Sequence, residues 1–163
     1  MRQSRSAALA VFALLAIAAN AAAGVVHPCE PKTIEILVGS GERIFAIEVA
    51  VDPDEQARGL MFRPALPADA GMLFIFDPPR PANFWMRNTM IPLDLIFIDD
   101  SGEVESIAER TDTYSDRVSS SQSDVRAVLE INGGLSRQLG IGPGAQVIHS
   151  AFENAPEKSR CPK

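Results

Sequence analysis

Histidine is nearly missing from this chain of 163 residues: only His27 and His149 occur. A zinc hydrolase needs two or three histidines at ligand spacing, so that class has no motif here. A Ser-His-Asp site would have to use His149, and no Gly-x-Ser-x-Gly turn precedes it. Gly-x-Gly-x-x-Gly and phosphate-loop patterns are absent too, so no cofactor and no catalytic residue is assigned. Basic runs are lacking, and the formal charge is −6. That balance argues against nucleic acid or an anionic membrane surface as a partner.

Long apolar runs are scarce as well. One stretch, residues 7–19, is free of charge, and it is shorter than the ~20 residues a spanning helix needs. Arg2 and Arg5 precede it and Ala21-Ala22-Ala23 follow it, which is the pattern of a secretory signal over residues 1–23. An uncleaved anchor is the alternative. Without Arg2 and Arg5 the formal charge becomes −8. Residues 24–163 then form one domain's worth of exported chain, periplasmic or secreted, with no further span.

The two cysteines, Cys29 and Cys161, lie near the two ends of that exported part. Export makes a disulfide the first reading, with free or intermolecular thiols as the alternative. A loop of this length contributes at most ~5 kcal/mol through chain entropy. Two thiols cannot build a structural zinc site, and there is no Cys-x-x-Cys redox pair.

What the chain does contain is alternation. Ile34, Ile36 and Val38, then Phe45, Ile47, Val49 and Val51, alternate with polar or small residues around Gly39-Ser40-Gly41-Glu42, which predicts a β-hairpin. Asp52, Pro53 and Glu55 suit the N-cap, first position and reciprocal cap of a short helix ending at Gly59. Residues 71–76 read as a strand buried on both faces, and residues 77–81, with three prolines, as a stiff connection. Residues 99–102 predict a second hairpin turn, and residues 111–123 a flap or surface loop. Val125, Ala127, Leu129 and Ile131 alternate with Arg126, Val128, Glu130 and Asn132 on a further strand. A short helix follows up to Gly140, then a last strand over residues 146–152. Only two segments carry helix signals. The expected fold is therefore mainly β: a single sandwich or jelly-roll-like antiparallel domain with two short helices.

The stretch FWMRNTMIPLDLIFID, residues 84–99, stands out because Arg87, Asn88, Thr89 and Asp94 interrupt an apolar run that holds the only Trp. Pro92 forbids an unbroken central strand. The expectation is a strand over 83–87, a polar turn over 88–93 and a strand over 94–98. Phe84 and Met86 then face the core, and Trp85 and Arg87 face a groove or solvent. This stretch resembles the signature of the domain-of-unknown-function 192 family. Three blocks match in order: EQARGLMFR at 55–63, GMLFIF at 71–76 and VLEINGG at 128–134. The resemblance covers about residues 34–148. One departure is Gly144-Ala145, where the family reads Gly-Asp. The resemblance implies a compact, mostly β and often exported domain, and it implies no activity.

A rigid bend that concentrates polar groups is either a structural clasp or a binding surface, since unpaired buried polar groups are costly. The candidate ligand-binding residues are Asn83, Trp85, Arg87, Asn88, Thr89 and Asp94, supported by Arg58 and Glu130. A Trp beside an Arg suits a small molecule, sugar or peptide. The reading is an exported, non-catalytic binding or envelope-associated domain. One alternative is Cu(I) held by the thioethers of Met61, Met72, Met86 and Met90, although Met also fills cores. The other is a hydrolase of unknown substrate.

Overall fold

Seven strands hydrogen-bond into one sheet in the order β5-β4-β6-β3-β2-β1-β7. The computed structural model describes residues 29–39, 41–157, 160 and 161. The candidate signal segment and His27 lie outside the described residues. Strands β1 (Thr33–Val38) and β2 (Gly41–Ala50) form the expected hairpin, with Val38 opposite Gly41. Helix α1 (Pro53–Arg58) begins at Asp52, whose side chain accepts the Asp54 N–H at 2.8 Å, and Glu55 completes the capping box. Strand β3 (Ala70–Phe84) returns beside β2, and β4 (Leu93–Ile98) and β5 (Val104–Ala108) form the second hairpin. Strand β6 (Ser119–Asn132), helix α2 (Leu135–Leu139) and strand β7 (Gln146–Ile148) complete the order.

The mainly β class and the two short helices are found. The two-sheet sandwich is not: the strands make a single curled sheet, a half-barrel, whose edge strands approach each other through a Glu103–Gln146 bridge. The sheet is also not wholly antiparallel. The α1 connection carries the chain back, so β3 runs parallel to β2. Curling lets one sheet bury both faces. Ile34, Ile36, Leu73, Ile96, Leu129 and Val147 belong to one core. Met72, Phe74, Met86, Leu95, Phe97 and Val128 belong to a second. Neighbouring residues of β3, β4 and β6 thus alternate between the two cores, as side chains along a strand must.

Four boundaries depart from the expectations. The proline stretch 77–81 lies within β3, where the pairing with β6 slips between Ile75 and Arg80; prolines cannot donate to the ladder, and the slip absorbs them. The serines after residue 118 are not loop. Ser119 and Ser120 pair with Phe84 and Asn83, and the Ser121 hydroxyl accepts the Ala82 N–H at 3.0 Å. The last strand stops at Ile148, because the His149 ring accepts the Ala151 N–H at 3.1 Å and turns the chain. The strand expected over 83–87 is only the end of β3, which closes at Phe84.

Cys29 and Cys161 are disulfide-bonded, with Cα atoms 5.4 Å apart. Among the described residues no helix is long and apolar enough to cross a membrane.

Asp94 fixes the start of β4. It is fully buried, and its carboxylate accepts four hydrogen bonds: Arg110 N–H and Gly134 N–H at 2.7 Å on Oδ1, and Ser136 N–H at 2.9 Å and Oγ–H at 2.6 Å on Oδ2. Three chain segments therefore meet on one anion. Asp94→Ala is expected to cost about 4 kcal/mol in urea unfolding, since it strands buried donors of a charged acceptor. Ser136→Ala, which removes only the hydroxyl bond, is expected to cost about 1–2 kcal/mol. Equal losses for the two variants would contradict this account. Reducing the disulfide is expected to lower the urea midpoint, with a loss of unfolding free energy below the ~5 kcal/mol chain-entropy limit. An unchanged midpoint on reduction would show that the bridge ties only frayed ends.

Candidate functional site

Beyond Phe84 the chain leaves the sheet and is held by backbone bonds from both sides. Met86 N–H donates to Ser115 O, Phe62 N–H to Asn88 O and Tyr114 N–H to Thr89 O. Phe62, Asn88 and Tyr114 have φ of 62°, 56° and 55°. Side chains seldom adopt this left-handed region, and each such residue costs about 1–3 kcal/mol. Phe62 and Tyr114 also keep their rings largely in solvent. The bend is thus a strained and tightly tied segment. The flap suggested by residues 111–123 is instead bonded to it.

The bend forms one wall of a cleft of about 310 Å³. Phe84 turns inward, edge-on to Phe74 at 4.9 Å, and Met86 is buried, as their alternation predicts. Trp85 lines the cleft at 48% exposure, and the Arg87 guanidinium lies 4.4 Å from its ring. Arg87 also donates to Asp116 at 2.8 Å. The opposite wall comes from α1 and its end, with Gln56, Arg58 and Gly59. Gly59 has φ of 48°, and a Cβ there would lie 3.2 Å from the ring of the core residue Phe74, so a side chain would press on the core behind the cleft.

Glu130 also lines the cleft. It sits on β6 between Met72 of β3 and Leu95 of β4, is buried, and its Oε2 has no hydrogen-bond partner. Burial pushes its pKa up to about 8, against a smaller opposing effect of the Arg63 charge. Arg63 does not reach it as a partner, because both its terminal nitrogens bond the Glu48 carboxylate, one at 2.7 Å. That bond holds Glu48 below its ordinary carboxylate value.

Of the candidate residues, the fold brings Arg58, Asn83, Trp85, Thr89 and Glu130 to one cleft, with Arg87 stacked on Trp85. Asn88 is exposed at the tip of the bend. Asp94 does not line the cleft and is spent on its four internal bonds. Sequence reasoning missed Gln56 and Arg80. Gln56 lay within the predicted helix and Arg80 between two prolines, and neither position has a local signal. Of the methionines, Met72 and Met86 are core residues, Met61 lines the cleft and Met90 is 43% exposed. His149 is buried, with Nε2 3.3 Å from Pro31 O and Nδ1 accepting from Ala151. Burial lowers its pKa.

The sequence profile of the DUF192 family, described as an uncharacterized ACR, matches residues 35–149. A crystal structure of a protein of unknown function from Novosphingobium aromaticivorans is 44% identical, with a TM-score of 0.69; the match covers 71% of this chain and 82% of that one. A second, from Sinorhizobium meliloti and described as a candidate transcription regulator, is 37% identical at a TM-score of 0.69, covering 71% and 90%. No match is found among curated proteins.

The Glu130 environment has a consequence for stability. Between its ordinary value of 4.5 and about 8, the folded chain keeps a proton that the unfolded chain releases. This group's contribution therefore falls as pH rises through that window, by roughly 3 kcal/mol from pH 4.5 to 7. Glu130→Gln is expected to be the more stable protein at pH 8. The gap from wild type should close as pH is lowered to 5, as read from urea unfolding at each pH. A gap that stays constant with pH would mean that Glu130 is ionised in the fold.

Proposed function

The chain belongs to the DUF192 family of uncharacterised proteins, and we propose that this member is an exported, non-catalytic binding domain whose ligand sits in the cleft beside the central bend. The observation that carries the reading is the Glu130 carboxyl, buried in the cleft lining with an oxygen that has no partner. An unmet buried acceptor costs about 1–3 kcal/mol, and an apolar residue of similar size would avoid that cost. Retaining a carboxyl there makes sense if a ligand supplies the missing partner. Trp85 adds a flat apolar wall, and Arg58, Asn83 and Thr89 add polar groups around it. Few polar groups converging on a partly apolar cleft is the usual make-up of a small-molecule site.

The lining holds one carboxyl and no histidine or cysteine, so it offers no carboxylate pair and no Cys–His or Ser–His pair. His149 uses both ring nitrogens in contacts with the backbone. These points favour binding over hydrolysis. The placement of the methionines, two in the core and one exposed, gives a copper site no particular support. Export is supported by the leading segment and by the disulfide, which suits an oxidising compartment. The regulator description of the S. meliloti protein does not carry over to a chain with a formal charge of −6 and no basic run.

The test is a melting screen of the purified protein against metabolites, sugars and short peptides, repeated on Trp85→Ala and Glu130→Leu. Trp85 is half exposed, so its loss should cost little stability while removing the response of the cleft. The expected result is at least one compound class that raises the wild-type melting temperature and does so less in the variants. A wild type that no compound shifts, or variants that respond as the wild type does, would leave the bend as a scaffold only.

A further inference from the structure

The arginines divide into two groups. Arg63, Arg87, Arg126 and Arg137 each pair with a carboxylate. Arg43, Arg58, Arg80, Arg110, Arg117 and Arg160 have no ion pair among the described residues, and of these Arg58 and Arg80 line the cleft. Arg80 is nevertheless held in place. Its guanidinium lies 4.3 Å from the Phe76 ring and donates to Gln56 Oε1 at 3.4 Å. The Gln56 amide nitrogen donates to Ala50 O at 3.2 Å and to Ile75 O at 2.8 Å, which fixes its oxygen toward Arg80. Both contacts to Arg80 are neutral, so its position is set while no carboxylate pairs with its solvent-facing charge. A protein of net charge −6 thus presents two unpaired cations in a cleft whose one acidic group is buried.

Resting on the cleft as a binding site, we infer that its ligand is a small organic anion with a planar body: the anionic group meets Arg58 and Arg80, the body lies against Trp85, and a ligand oxygen accepts the Glu130 hydroxyl proton. A cationic ligand would face two like charges, and a neutral one would leave both uncompensated. The volume of about 310 Å³ is at the low end for ligand sites, which restricts the ligand to a small molecule. Asn83 supplies a further donor. Its Oδ1 already accepts from Ser120 at 2.7 Å, which leaves its amide nitrogen for the ligand.

Glu130 acts as a donor only while it is protonated, and burial keeps it so at neutral pH. The charged group that acts on it is Arg63, which is paired with Glu48; Arg58 and Arg80 line the same cleft, and its strand neighbours Met72 and Leu95 carry no charge. Raising the pH through about 8 puts a carboxylate where the anion must sit. Anion binding should then weaken by about tenfold, the equivalent of one pKa unit of coupling.

The test uses three probes that share one ring and differ in charge: benzoate, benzyl alcohol and benzylamine. The chain has a single tryptophan, so its indole N–H gives one NMR signal to follow in the oxidised full-length protein. Benzoate is expected to shift that signal with a Kd at least about tenfold below that of benzyl alcohol, with benzylamine weaker still. Arg58→Gln and Arg80→Gln should each erode the preference for benzoate without changing the melting temperature by more than a degree or two. Glu130→Gln should keep benzoate binding and lose its decline between pH 7 and 9. If benzyl alcohol or benzylamine binds as tightly as benzoate, the anion class is wrong and the cleft stands. If benzoate binds with the same pH profile in wild type and Glu130→Gln, the donor role of Glu130 is wrong. If none of the three moves the indole signal at tens of millimolar, both the ligand class and the binding reading fall.

Discussion

The four hydrogen bonds to Asp94 are the constraint on which the rest of the bend depends. A carboxylate without water must have its charge met by donors, and here three backbone N–H groups and one hydroxyl do so. They come from the connection after β5, from the entry to α2 and from α2 itself. Gly134, whose N–H is one of the donors, has φ of 85°, and a Cβ there would lie 2.3 Å from the Arg110 guanidinium. The left-handed backbone favours glycine, and any other residue would also have to displace the Arg110 guanidinium. With β4 anchored in this way, the chain just before it has a fixed exit, and the bend can be strained without fraying.

Glu130 is the counterpart on the other face. Asp94 pairs with Ile131 across the β4–β6 ladder, so Asp94 and Glu130 lie on adjacent strands one position out of step and point to opposite sides of the sheet. Both are buried carboxyls. Asp94 has a donor for each oxygen and is structural. Glu130 has an oxygen without a partner, lies against a cleft and is held protonated by burial. The supply of donors decides which acid ties the fold together and which keeps an oxygen available to a ligand.

Electrostatic pairing orders the surface in the same manner. Arg87 is stacked on Trp85 and bonded to Asp116, which stiffens the rim of the cleft. Both partners are largely exposed, so this pair adds position more than stability. Arg80 is held by an amide and a ring, which position it without neutralising it. Strain at Phe62, Asn88 and Tyr114 gathers in the segments around this rim, where three backbone bonds sustain it.

Local chemistry written in the sequence came through intact. The Asp52–Glu55 capping box, the hairpin turns, the alternation on β6 and the inward Phe84 and Met86 all depend on residues a few positions apart, so periodicity and side-chain chemistry suffice to read them. That residues 84–99 mattered was also legible, because polar groups in an apolar run must find partners. Which partners they found was not. Asp94 and Glu130 look alike as single acids on strands, and their roles diverge through contacts 16 to 42 residues away for Asp94 and through the lack of any for Glu130 Oε2. The curl of the sheet was equally out of reach: a strand buried on both faces reads the same in a sandwich and in a half-barrel. The choice was made by the parallel return through α1 and the register slip in β3, both set by pairing between distant segments. Sequence alone determined the elements and the acids on them; tertiary structure alone decided which acid has partners, because donors reach a buried carboxyl only once distant strands have closed around it.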